Sequence, residues 1–379
     1  MVEIECITRE DGLWDLGREW EELWHSSLTA SFFLTFRWIC CCWKELQADN
    51  ELRVFVGRDG GKVVLVAPFM KSRRAQKGLP LDCLTFIEHP EAQVADVILE
   101  RPQENSRVLE TLLKFLVNVQ AADWHLLSLD KIPQGSPTLR LLAASAESCP
   151  SRFEVRSTHE ALCIPLVGGW HTYLNNRSPR FRKTLRNVVN RIERLGAVEV
   201  KCYRGQEIDD QTIQKLFSVS DSSWKVSDGI AITSQTRRMR FFEDFLSAVA
   251  QQGDVHVWML EVNGTAIASE IQVIDGRTVY ALRSDYDERY ADSSPGVYLQ
   301  VEILQDLFSS SYEFYNLGFG LNPYKLRWAE QRLTVMNFRM YNRTMYSRML
   351  RSVDRYDLGK LRRVPGIRNL HDFIAGRVS

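Results

Sequence analysis

The stretch 279–328, VYALRSDYDERYADSSPGVYLQVEILQDLFSSSYEFYNLGFGLNPYKLRW, decides how this chain folds. It reads as a strand (279–284), a loop (285–293), a helix opening at Ser294-Pro295-Gly296, a second strand (313–317) and a Gly-x-Gly turn. Beyond the turn come Asn322, Tyr324, Lys325 and Trp328. Ser294 suits an N-cap, Pro295 suits the first helical position, and Val297, Val301, Leu304 and Phe308 recur at helical spacing. A helix that starts just after a strand presents free backbone N–H groups and a positive dipole end, which together hold a phosphate.

Working outward, a strand at 255–261, the turn Asn263-Gly264 and a strand at 266–274 lead through Asp275-Gly276-Arg277 into the focal strand. Helices at 208–224 and 235–251 precede them. The first half repeats this grammar. Helices at 14–24 and 36–46 are followed by strands at 52–57 and 62–70 around Asp59-Gly60-Gly61. Strands at 81–87 and 94–99, a helix at 104–119, a strand at 124–129 and a helix at 137–146 complete it. Alternating strands and helices predict an α/β or α+β class with a mixed sheet, and the repeated order suggests a duplicated domain.

Between the halves, 178–195 reads as one helix. Phe181, Leu185, Val188, Ile192 and Leu195 form its apolar stripe, Gly196 ends it, and Arg180, Arg182, Lys183, Arg186, Arg191 and Arg194 cover the rest. That basic face is either a solvated surface joining two domains or a cationic wall for an anionic substrate.

A chain of 379 residues is too long for one ordinary core, so two domains are expected. Lys+Arg and Asp+Glu balance at 48 each, which gives no overall pull toward nucleic acid or membrane. The eight cysteines show no zinc-type spacing, and the run Cys40 to Cys42 reads as small apolar residues of a reducing compartment. No secretory signal is visible at the start, and the apolar run 63–70 is too short for a membrane span. The expectation is a soluble cytoplasmic protein. Its histidines lack metal-ligand spacing, and no Gly-x-Ser-x-Gly elbow, phosphate-binding Walker loop or His-Glu-x-x-His motif occurs, so no metal is expected.

Ser223-Trp224-Lys225, Ser294-Pro295-Gly296, Asn316-Leu317-Gly318 and Tyr324-Lys325-x-x-Trp328, in this order, resemble the GNAT-type acyltransferases of the CelD-like and Fem-like group. The Arg-rich helix and Phe33-x-Thr35-x-x-Trp38 belong to the same pattern, so the resemblance covers nearly the whole chain. It implies two tandem GNAT-like domains with mixed sheets flanked by helices, 1–168 and 169–345, followed by a basic tail, 346–379. The second domain would hold the donor, either acyl-coenzyme A or, as in Fem members, aminoacyl-tRNA. Asn316 stands where many relatives have Asp, and the usual Gln/Arg-x-x-Gly-x-Gly/Ala loop is missing.

Acyl transfer from a thioester to an amine needs a neutral amine, a hydrogen-bond donor for the carbonyl and a proton for the thiolate. Glu270 is the first candidate base, either on a solvated strand face, where most carboxylates lie, or in a cleft that raises its pKa. Asp285 and Asp287 compete, since strand ends deliver site residues in α/β sheets. Tyr286 and Tyr290 are candidates to protonate the thiolate or bind acceptor, against a packing role. Arg289, Ser294, Pro295, Gly296 and Lys325 are the donor-binding candidates. Arg289 is otherwise a surface arginine and Lys325 an ordinary snorkelling lysine. Trp224, Lys225, Arg283, Tyr286, Tyr324 and Trp328 are the acceptor-binding candidates, with core packing the bland reading of Trp224.

Three functions follow. The first is an N-acyltransferase moving an acyl group, expected to be acetyl, from coenzyme A to an amine such as an amino sugar or an intermediate of polysaccharide or secondary metabolism. The second is a Fem-like transferase using aminoacyl-tRNA, motivated by the basic helix, although no coiled-coil arm is present. The third is a non-catalytic scaffold, motivated by Asn316 and the missing loop. Nucleic acid is a partner only in the second. The acceptor and the oligomeric state are not legible.

Overall fold

The computed structural model describes residues 2–100, 105–147, 151–250 and 253–355. Most of the basic tail, from 356 onward, lies outside the described residues. In the first half the chain runs β1 (Glu3–Ile7), α1 (Glu10–Asp15), α2 (Gly17–Ser26), α3 (Phe36–Leu46), β2 (Asn50–Asp59), β3 (Lys62–Gln76), β4 (Leu79–Phe86), β5 (Ile98–Leu99), α4 (Asn105–Asn118), β6 (Leu126–Pro133), α5 (Pro137–Glu147) and β7 (Phe153–Pro165). The second half runs α6 (Gly169–Asn175), α7 (Pro179–Glu193), β8 (Val198–Arg204), α8 (Asp210–Asp221), α9 (Thr236–Ala248), β9 (Val255–Val262), β10 (Thr265–Asp275), β11 (Thr278–Tyr286), α10 (Pro295–Phe308), β12 (Phe314–Phe319), α11 (Pro323–Leu326), β13 (Gln331–Tyr341) and α12 (Met345–Arg355).

The hairpin signals work as their chemistry requires. Asn263 and Gly264 take φ of 50° and 79° between β9 and β10, and Gly60 and Gly61 take 57° and 85° between β2 and β3. The basic helix forms as α7. The Ser178 hydroxyl accepts the Phe181 N–H, Pro179 opens it, and Leu185, Val188 and Ile192 are buried.

The strands join one mixed sheet in the order β1-β2-β3-β4-β6-β13-β7-β12-β11-β10-β9-β8. Read from either edge the order is the same: a four-strand meander, one parallel pair, then an antiparallel closing strand. The closing strands are exchanged. β13, last in the chain, pairs with β6 of the first half, while β7 pairs with β12 of the second. The sheet therefore passes without a break from one half to the other. Helices cross the same seam: Trp38 of α3 lies fully buried, with edge contacts to Phe241 and Phe245 of α9 at 5.6 and 5.3 Å.

Several expectations need correction. The helix at 14–24 is two helices broken at Leu16-Gly17, and the strand at 94–99 shrinks to β5. Four strands were not foreseen: β1, β7, β8 and β13. β7 and β8 carry polar residues on partly exposed faces, and the exchanged pair β7 and β13 owes its order to pairing between distant segments. The cysteines at 40–42 are buried packing residues, and burial raises the Cys40 thiol to about 12.

Candidate functional site

β11 and β12 are parallel neighbours over three residue pairs only, Thr278 with Phe314 to Tyr280 with Asn316. Beyond Tyr280 they part. A cleft of about 580 Å³ opens there, bounded by β10, the outer end of β11, the start of α10, Leu317 of β12 and α11. A bulge helps to shape it. The β10–β11 register slips between Ile271 and Gln272, leaving Leu282 as the extra residue on β11 and setting Ser284 opposite Glu270.

Glu270 is 4% exposed and lines this cleft, so the expectation of a solvated strand face is overturned. It accepts hydrogen bonds from Tyr315 Oη at 2.5 Å, Gln272 Nε2 at 2.7 Å and Ser284 Oγ at 2.8 Å. Burial raises its pKa above the ordinary carboxylate value, against the pull of these donors and of the Lys325 charge. Burial in turn lowers the pKa of Lys325, whose Nζ donates to the Phe319 carbonyl at 2.7 Å.

Asp285, which pairs with Ser269 one residue beyond the Glu270–Ser284 pair, also lines the cleft and is held as an anion. Burial works against that charge, but the Lys225 ammonium at 2.7 Å and the Arg283 guanidinium at 2.7 Å outweigh it and lower its pKa. Arg283 also bridges to Glu91 of the first half at 2.9 Å and donates to the Ile230 carbonyl. Trp224 is 40% exposed on the rim of the cleft, which overturns its core reading. Tyr286 and Tyr324 line the same space.

The mouth of α10 differs from its expected form. Ser294 sits in the left-handed region with φ 58°, and its side chain makes no capping bond. Its hydroxyl instead accepts from Arg191 Nη2 of α7 at 3.3 Å. Pro295 has no N–H, and the Val297 N–H is taken by the Ser294 carbonyl at 3.0 Å. Gly296 is left with the available N–H, so an anion here would rest on one amide, the helix dipole and Arg191 rather than on a full first turn.

Four candidates stand elsewhere. Asp287 caps the short 3-10 turn Glu288–Ser293 and pairs with Arg289 at 2.6 Å. Arg289, with its side chain 74% exposed, lines a separate surface recess. Tyr290 packs against the core around α10. Trp328 is 1% exposed, stacks edge-on with Phe181 and gives its carbonyl to Tyr173 Oη. Asn316 turns the chain, its Oδ1 accepting the Gly318 N–H at 2.9 Å.

The structure adds residues that the sequence did not single out. Tyr315 and Ser284 hold Glu270, Glu91 reaches Arg283, and Gln93 Nε2 donates to the Ala281 carbonyl inside the splay at 2.7 Å. Gly318, φ 79°, makes room for this convergence, since a Cβ there would lie 3.3 Å from Gln93 Nε2 and 3.5 Å from Lys325 Nζ. No group of metal ligands occurs among the described residues.

Residues 179–326, from the first residue of α7 to the last of α11, match the family model of an acetyltransferase (GNAT) domain. The crystal structure of FemX superposes with a TM-score of 0.55 at 13% identity, covering 92% of this chain and all of that one. The C-terminal domain of a putative lysylphosphatidylglycerol synthetase from Agrobacterium fabrum gives 0.55 at 12%, covering 89% and 95%. A conserved protein of unknown function from Bacteroides thetaiotaomicron gives 0.55 at 14%, covering 90% and 100%. At these identities the likeness is one of fold. No curated protein sequence matches the chain.

Proposed function

We propose, for a GNAT-type chain of Fem-like fold that carries an acetyltransferase domain over residues 179–326, that it moves an acyl group from acyl-coenzyme A to an amine acceptor in the cleft between β11 and β12. The observation that carries this reading is the splay itself, with a buried carboxylate on its floor and a helix mouth flanked by arginine at its edge.

The residues fit such a donor. Gly296 N–H, the α10 dipole and Arg191 suit a pyrophosphate, and the strand edge freed beyond Tyr280 suits the extended arm leading to the thioester. Glu270 takes the proton of the attacking amine, and its raised pKa brings it closer to the strength a base needs near neutrality. The amine nitrogen then bonds to the acyl carbon, the carbon–sulfur bond breaks, and the thiolate receives a proton, for which the Tyr286 hydroxyl in the cleft is the candidate. Lys325, whose Nζ lies beside Gly318 and donates to the Phe319 carbonyl, is the candidate to stabilise the carbonyl oxygen as it gains charge. Arg283, Asp285, Lys225 and Trp224 form the acceptor end.

Release of free thiol from acetyl-coenzyme A, dependent on added amines and amino sugars, tests the reading. A panel that yields no thiol and no acylated product would remove it. The exposed cations Arg180, Lys183 and Arg186 of α7 and Arg194 just beyond its end favour a second reading in which aminoacyl-tRNA is the donor. A salt-dependent gel shift with charged tRNA, followed by aminoacyl transfer, would move the reaction to that class.

A further inference from the structure

A second cavity is lined by residues that carry none of the roles assigned so far. On the strands β4, β6 and β13 the side chains alternate: Leu84, Leu127, Phe338 and Met340 pack into the core that includes α4 and α5 residues, while Cys83, Leu126, Asn337 and Arg339 face the opposite way. Among the described residues a small apolar cluster with Leu350 of α12 covers part of this second face. The remainder is a recess of about 380 Å³.

Its lining has the wrong chemistry for an idle surface. Arg74, Arg156 and Arg339 converge on it from β3, β7 and β13. Arg156 and Arg339 are held by Glu154 and by Asp354, which also lines the recess, whereas Arg74 donates its Nε to Ser72 Oγ and makes no ion pair among the described residues, its charge reaching the buried Glu88 only at longer range. Two amides point the same way. Asn337 is 6% exposed, and its Oδ1, like Oε1 of Gln76, is buried without a hydrogen-bond partner. An unsatisfied buried acceptor is costly, so two beside an arginine cluster call for a ligand that brings both negative charge and hydrogen-bond donors.

We propose that this recess is a binding site for a small phosphorylated polyol, of the chemistry of a sugar phosphate. The phosphate pairs with Arg74 and Arg156 in the forked geometry that guanidinium favours, and ligand hydroxyls donate to Asn337 and Gln76. The volume suits a monosaccharide-sized ligand. The site stands apart from the acyl-transfer cleft, with which it shares no lining residue.

The test is calorimetric titration of the full chain with a hexose 6-phosphate, the free hexose and inorganic phosphate. Arg74→Ala and Arg156→Ala are the variants, because both side chains are exposed or half-exposed and carry no core packing. Arg191→Ala serves as the control for the other anion site. Saturable binding of the hexose phosphate is expected, tighter than that of phosphate or hexose alone. It should weaken about tenfold or more in each recess variant and stay unchanged in Arg191→Ala. Absence of saturation through the millimolar range, equal affinity for inorganic phosphate, or a loss confined to Arg191→Ala would overturn the proposal.

Discussion

The two halves share a strand order but treat the gap beside their parallel pair in opposite ways. In the first half β4 and β6 pair over two residues, Cys83 with Leu126 and Leu84 with Leu127, and then part as β11 and β12 do. There the chain fills its own gap. Lys131 Nζ, at the end of β6, donates to the carbonyls of His89 and Pro90, the Ala95 N–H returns to the Lys131 carbonyl, and Ala95 and Val97 join the core. In the second half the corresponding connection, Glu288–Ser293, is tied to its own Asp287 and leaves the gap open. The same splay is thus a packed joint in one half and a cleft in the other. What separates them is the segment between strand and helix, not the sheet.

The largest expected effect of breaking this contrast is at Glu270, the buried carboxylate that lines the open cleft of the second half. Glu270→Gln should lower kcat/KM for acyl transfer about 10²–10⁴-fold, the range for loss of a general base. The wild-type profile should rise with pH through a limb above the ordinary carboxylate value of 4.5, and the variant should lack that limb. Stability runs the other way. A carboxyl group whose folded pKa is raised contributes fully below its unfolded pKa and loses that contribution as pH rises through the folded pKa. Melting curves should therefore favour the variant increasingly as pH rises over that window, and a variant that loses stability instead would show Glu270 to be a structural anion.

Trp38→Ala tests whether the halves share a core. It should cost about 3–5 kcal/mol and still unfold both halves in one transition in denaturant titration. Two separated transitions would mean independent units. Next in size, Arg191→Ala should raise KM for acyl-coenzyme A about tenfold with kcat unchanged, as expected for one lost charge–phosphate contact. Arg289→Ala should change KM less than about twofold, because its charge is spent on Asp287 at an exposed position.

Much of this was legible from local chemistry. The Asn-Gly and Gly-Gly turns set the hairpins, and the stripe Leu185, Val188, Ile192 set α7 together with its buried side. The site was legible only in part. Counting back from the two-residue turn after Asp275 pairs Glu270 with Arg283, whereas the bulge at Leu282 brings Ser284 opposite it, and a bulge leaves no mark in the alternation of residues. Ser294 looked like an ordinary N-cap because residue type does not reveal a left-handed backbone. Glu91 and Gln93 were out of reach altogether. They meet Arg283 and Ala281 across nearly two hundred residues, through the filled gap of the other half.

Hydrogen exchange of the full chain with and without acetyl-coenzyme A tests the central claim most directly. Slowed exchange confined to the end of β11, the first turn of α10 and the turn around Gly318, with no change at 84–97 and 127–133, is the predicted result. Protection of the first-half gap, or no protection at either gap at saturating ligand, would contradict the account.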